Sequence, residues 1–276
     1  MTRNALSLCR LAQLDVPVAA GAERPLVVPL IHGGAIHGKT GLDGAELPER
    51  DRAPLDMHAV ELIIRTAREH CGELILAATG ALTNVALALT TEPKLKVWLR
   101  AITLMGGTTG IGNTTEGAEF NIYCDPEAAD IVLRAGVPTW MVGLDVTRRV
   151  GVGAADIVEL RKGGKLARTI GDLLDFFLES LRRVHGLSTA SMHDPCALVP
   201  FIDPTLIEYR HCPVQVSLDR GLTRGMTVAD LRRLGNAALG AIRPSAPANV
   251  HLAREPSPKL VPHILEAIRD LDARLT

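Results

Sequence analysis

The sequence predicts an α/β protein with a mostly parallel central sheet flanked by helices. Three observations carry this expectation. Strand-like and helix-like segments alternate along most of the 276 residues, which places helices on both faces of a parallel sheet. The composition is 47% hydrophobic but only 3% aromatic, so the core is aliphatic. Three predicted strand ends, at Thr79-Gly80, Met105-Gly106-Gly107 and Gly143-Leu144-Asp145, carry glycines and polar groups, and ligands of such sheets collect at the carboxyl ends of strands.

The elements follow in order. Ala5, Leu8, Cys9 and Ala12 recur at helical spacing and open the chain with a helix. Residues 16–20 and 25–30 read as short strands or extended segments. Residues 32–54 are polar, Gly-rich and aperiodic, which predicts a long loop of the kind that tends to be functional. Val60, Ile63, Ile64 and Ala67 form a helix face, residues 73–78 a strand, 82–89 a helix and 101–105 a strand. Asp125-Pro126 supplies an N-cap and a first-turn proline to a helix reaching about residue 135. A strand at 138–143 precedes helices at 154–161 and 166–185 and a short helix at 193–201. Residues 206–230 read as antiparallel strands, and Leu260, Ile264, Ala267 and Leu271 mark a last helix.

Thirty Lys and Arg against 31 Asp and Glu give a formal charge of −1, which argues against an obligate nucleic-acid or anionic-membrane binder. Five widely spaced cysteines without a C-x-x-C pair describe neither a disulfide scaffold nor a structural zinc site, and predict a reducing, cytoplasmic setting. Arg10 and Asp15 interrupt any signal-peptide core. The longest apolar stretch, residues 74–89, is broken by Thr79, Gly80, Thr83 and Asn84, too early to span a bilayer.

Four groups of residues could carry chemistry. Met105-Gly106-Gly107 is followed by Asn113, Glu119 and Asn121, two amides and a carboxylate that suit a ring bearing several hydroxyls; a polar, helix-capping loop explains the same spacing. His193-Asp194-Pro195 reads either as a plain helix N-cap, like the Asp-Pro pairs at 125 and 203, or as an oxygen ligand for a hard cation beside a proton-donating His. The strand ending at Thr79 leaves a carbonyl that could face a metal or merely begin a turn. Gly33, Gly38, Lys39 and Thr40 nearly meet a phosphate-loop spacing, but Gly41, Gly44 and Pro48 break the helix that must follow one, and a lid presenting His37 fits better. Gly107, Gly110 and Gly112 miss the G-x-G-x-x-G spacing of a dinucleotide site.

Taken together and in order, these groups resemble the nucleoside hydrolase family, the inosine-uridine preferring nucleoside N-ribohydrolases. The resemblance covers nearly the whole chain. It rests on residues 2–6 (Thr-Arg-Asn-Ala-Leu), 18–21, 37–44, 78–84, 104–107, 118–122, 125–129, 141–147 (Met-Val-Gly-Leu-Asp-Val-Thr), His193-Asp194-Pro195 and 222–228 (Leu-Thr-Arg-Gly-Met-Thr-Val). It implies hydrolysis of the N-glycosidic bond of a small-molecule ribonucleoside to base and ribose, with a calcium ion that orders the attacking water and binds the ribose hydroxyls. It further implies that Asp194, through its carboxylate, and Thr79, through its backbone oxygen, are calcium ligands. Asn113, Glu119 and Asn121 would hold the ribose over Met105, His193 would face the leaving base, and His37 would sit on the lid. An anionic Glu119 would favour positive charge developing on the sugar ring. Homo-oligomers are the implied assembly.

The family's opening strand ends in an Asp-x-Asp-x-x-x-Asp-Asp motif that supplies the catalytic base and most calcium carboxylates. No such motif occurs here; Asp51, Asp56, Asp172 and Asp175 are spaced otherwise. The expectation is therefore a single hydrolase-like domain over 1–276, N-terminally incomplete and lacking its first strand–helix–strand unit. Calcium binding is expected to be weak or absent, hydrolysis impaired, and an apolar sheet edge opened. The alternative expectation is a non-catalytic nucleoside- or ribose-binding remnant, or a subunit partner of a full-length hydrolase.

Overall fold

The computed structural model of the protein describes residues 1–232 and 245–275. Its centre is a five-stranded sheet in the spatial order Leu74–Ala78, Leu99–Met105, Thr139–Val142, Val250–Pro256, Ile207–Cys212. The first four strands are parallel, with Met105 beside Val142 and Val250 beside Thr139, and the last runs antiparallel. The predicted α/β class and mostly parallel sheet are what the chain forms.

Leu99–Met105 shows why this sheet is interior. Every residue but Arg100 is buried, because a parallel strand covered on both faces needs an unbroken apolar run. Ile102 and Leu104 point into one core with Met141, Leu252 and residues of the helices Ala59–Glu69, Thr83–Thr91 and Pro126–Leu133. The opposite core contains Val142, Ala253 and Ile207 against Lys165–His185, Pro195–Ile202 and Leu260–Ala273. Thr103, fully buried, satisfies its hydroxyl by donating to the Ala197 carbonyl at 2.5 Å, which anchors Pro195–Ile202 across the sheet.

The helix expected from Asp125-Pro126 forms as Pro126–Leu133. The Asp125 carboxylate accepts from Ala128 N (3.1 Å), Thr83 Oγ1 (2.6 Å) and Leu26 N (2.9 Å), so one buried side chain caps a helix and ties two other segments to it. Asp125→Asn keeps the shape but replaces one acceptor oxygen with a donor. It is expected to cost about 1–2 kcal/mol in urea denaturation.

Several expectations need correction. Residues 25–30 form no strand: Leu26 meets Asp125 instead of a sheet partner. Of residues 16–20 only Ala19–Ala20 pairs, with Leu55–His58. The long loop expected at 32–54 forms, with a single helical turn at Gly34–His37. The antiparallel strands expected at 206–230 also form, Ile207–Cys212 in the main sheet and Val214–Val216 with Thr227–Ala229 in a separate hairpin. The central strand Val250–Pro256 is unannounced in sequence because His251 and Arg254 break its apolar run. The fold accommodates His251 by stacking it between Trp140 (4.4 Å) and His211 (4.5 Å), its neighbours in register on either side. Leu74–Ala78 lies at one end of the sheet, half-exposed, with no further strand beside it among the described residues.

Candidate active site

The site is built where the Leu99–Met105 strand ends. Gly106 continues the ladder by donating to Val142 O (3.1 Å), and Gly107 then turns the chain with φ +73°. A side chain at Gly107 would collide with Met141 and Thr227, so only glycine lets the backbone pass. The carbonyl of Gly107 accepts from Leu144 N at 2.9 Å, locking this turn to the neighbouring strand end.

The N–H of Gly107 donates to the Glu119 carboxylate at 2.9 Å. Glu119 is only 2% exposed and is also the N-cap of the short helix Phe120–Cys124, accepting from Ile122 N at 3.2 Å. Burial pushes its carboxyl above the ordinary range. The backbone amides of Asn121, Gly107 and Ile122 act the other way, and the negative charge of Asp194 adds to the rise. Asn121 donates to the Met105 carbonyl at 3.0 Å and lies 3.4 Å from its sulfur. Asn113 caps the same helical turn, its side-chain oxygen accepting from Phe120 N at 2.9 Å, which leaves its NH2 group to meet a ligand. The capping reading of this loop therefore holds for the Asn113 oxygen and the Glu119 carboxylate.

The three Asp-Pro pairs separate on geometry. Asp125 caps Ala128, and Asp203 accepts from Thr205 N at 2.9 Å. Asp194 starts Pro195–Ile202 without any side-chain capping bond. Its carboxyl is pushed up to about 6 by the packing around it, although part of the residue reaches solvent. Of the three, only the Asp194 side chain spends no bond on its own helix. Met105, Leu144 and Ala197 pack as one small apolar cluster, which brings the strand end, the 143–147 turn and the helix after Asp194 together.

His193 Nδ1 lies 2.7 Å from Thr147 Oγ1. Burial and the positive charges of Arg148 and His37 lower its pKa to about 4, so its ring is neutral at neutral pH. His37 stacks on Phe177 at 5.2 Å and is likewise lowered by burial. His37 and His193 thus share one electrostatic environment. Thr79, exposed at the end of the edge strand, is tied to Asp194 by no hydrogen bond among the described residues.

Sequence reasoning passed over Thr147, Arg148 and Phe177. Arg148 donates to the carbonyls of Ile111 (2.8 Å) and Gly112 (2.6 Å), bracing the loop that carries Asn113. Nothing in their spacing separates them from ordinary helix residues, although Thr147 closes one of the matched motifs. The near phosphate loop is spent internally: the amides of Lys39 and Thr40 donate to Asp43 at 2.9 and 3.0 Å.

Calcium takes roughly 6–8 oxygen ligands, usually with several carboxylates. Among the described residues no group of three or more His, Cys, Asp or Glu stands together to hold a metal. Asp194 and the Thr79 carbonyl do not by themselves fit the ion.

Residues 1–260 match the family model described as inosine-uridine preferring nucleoside hydrolase. A pyrimidine-specific ribonucleoside hydrolase of Salmonella arizonae is 42% identical over 257 residues, covering 92% of this chain and 81% of that protein. The pyrimidine-specific ribonucleoside hydrolase of Shewanella woodyi is 44% identical over 239 residues, 85% of this chain and 77% of that one. Among solved structures, the purine-preferring ribonucleoside hydrolase from Gardnerella vaginalis aligns with a TM-score of 0.89 at 30% identity, covering 100% of this chain and 86% of that chain. A plant nucleoside hydrolase aligns with a TM-score of 0.88 at 28% identity, covering 99% and 86%.

Proposed function

Because the chain belongs to the inosine-uridine preferring nucleoside hydrolase family, we propose that it hydrolyses pyrimidine ribonucleosides to free base and ribose at the site around Glu119. One observation carries the placement. The buried Glu119 carboxylate is fixed by the Gly107 amide at the strand end, within electrostatic reach of the uncapped Asp194.

In this reading the ribose lies over Met105, with the side chains of Asn113 and Asn121 taking its hydroxyls. Glu119 favours the positive charge that grows on the ring as the glycosidic bond breaks. His193 and His37 face the base. A neutral His193 contributes a hydrogen bond to the leaving group rather than a resident charge. Asp194 and Thr79 are the donors this chain would offer calcium, and since the pair does not fit the ion, no step is assigned to it. The reading treats residues 1–276 as one hydrolase domain. A cytoplasmic homo-oligomer belongs to the same proposal, and no described helix is long and apolar enough to cross a membrane.

The preference for pyrimidines is supported by the relatives at 42–44% identity, both pyrimidine-specific, whereas the purine-preferring structure is 30% identical. The test is release of reducing sugar from uridine, cytidine and inosine, with and without added calcium. Uridine or cytidine is expected to exceed inosine by about tenfold or more in kcat/KM; equal or reversed rates would refute the preference. A second reading, nucleoside or ribose binding without turnover, is favoured by the thin set of metal donors. Calorimetric binding of uridine with no sugar released would select it.

A further inference from the structure

The hairpin formed by Val214–Val216 and Thr227–Ala229 lies outside the groups given a role above. Its second strand opens within the 222–228 motif, and two consecutive residues there grip the Glu119 loop. The Thr227 hydroxyl accepts from Thr108 N at 2.9 Å and donates to Thr108 O at 2.7 Å. Met226, just before it, forms a bridge with Ala118, the residue before Glu119. Thr227 is 4% exposed, and a Cβ at Gly107 would stand 2.7 Å from its hydroxyl oxygen.

From these contacts the geometry points to Thr227 as a positioning residue for Glu119, acting through the Gly107–Thr108 turn. This rests on the reading that Glu119 serves the ribose. The chemistry is restrictive. One atom must both accept from an N–H and donate to a carbonyl of the same residue, which a hydroxyl does and an aliphatic side chain of equal shape does not. With Thr108 pinned on both its backbone groups, the preceding Gly107 amide is aimed at the Glu119 carboxylate rather than free to turn. The Gly107 carbonyl, held by Leu144 N, fixes the other side of the peptide that carries the Thr108 N–H. Loss of the hydroxyl would release a turn whose placement decides where the carboxylate sits.

The test compares Thr227→Val with Thr227→Ser in the full chain. Hydrogen exchange at the Gly107 amide, which is not itself bonded to Thr227, is the first readout and needs no turnover. T227V is expected to raise its exchange by about tenfold or more over T227S, and to lower kcat/KM for uridine by about 10–100-fold, as a displaced catalytic group does. T227S is expected to restore both. In a Glu119→Gln background T227V is expected to cost nothing further, because residues acting as one unit are not additive. Unchanged Gly107 exchange in T227V overturns the proposal. So does a loss of activity of the same size with and without Glu119, since that describes general loosening. If T227V does not fold, Thr227→Ala enters the same comparison. If no form of the chain releases sugar, the exchange result still decides whether Thr227 holds Gly107, and the absent turnover counts against the hydrolase reading instead.

Discussion

Glu119→Gln is expected to lower kcat/KM for uridine by about 10²–10³-fold, the range seen when one preorganised charge-stabilising group is removed from an active site. Gly107 N and Ile122 N donate to the same Glu119 oxygen, so glutamine, which keeps the length and one acceptor oxygen, retains both partners and the loop keeps its course. What is lost is the negative charge facing the ring. The effect on stability has the opposite sense. Burial raises the Glu119 pKa, so ionising it works against the fold. The protonated group's contribution to stability is complete below the ordinary carboxyl value and is lost as pH rises through the raised one. Activity gains over the same window, because the carboxylate is the working form. The native pH profile should therefore carry an acid limb with a midpoint above the ordinary glutamate range, and E119Q should abolish that limb without lowering the urea midpoint at pH 8. A variant that is both unstable and inactive, or one that keeps the acid limb, would show that Glu119 is only a helix cap.

Gly107→Ala is expected to destabilise the protein by about 2–4 kcal/mol, from backbone strain together with overpacking. The φ of +73° is unfavourable for any residue with a Cβ. The new atom would also clash with the Met141 terminal methyl and stand 2.7 Å from the Thr227 hydroxyl. Met141 is fully buried in the main core, so its methyl must move against packed neighbours to make room. Gly136→Ala is the control, since Gly136 has a similar φ of +79° but nothing within 4 Å of the added carbon. It should cost only the backbone part, about 1–2 kcal/mol. If urea denaturation finds the two variants equal, the close packing of the strand-end turn carries no energy, and the account of how Glu119 is held weakens with it.

Much of the fold was legible before any coordinates. The strands at 74–78, 99–105 and 139–142 and the helices at 59–69, 83–91, 126–133 and 165–185 follow runs whose period fits the element. Val250–Pro256 was not legible, because the stacking of Trp140, His251 and His211 that makes a histidine acceptable there comes from three separate strands. The site divides in the same way. Asn113, Glu119 and Asn121 stand close enough in sequence to suggest a polyhydroxyl ligand, whereas Thr147, Arg148, Phe177 and Thr227 enter it from helices and a hairpin strand whose local pattern is ordinary.

The chain's own order of residues determined the α/β class, the strand ends where chemistry collects, and the residue types that suit a sugar, because periodicity and side-chain chemistry are local properties. Which of three identical Asp-Pro pairs is left uncapped, which carboxylate is buried hard enough to shift its proton affinity, and which hydroxyl clamps the turn beneath it were decided only by the tertiary structure. Desolvation and hydrogen-bond completion depend on what distant segments bring alongside a group, and no spacing along the chain contains that.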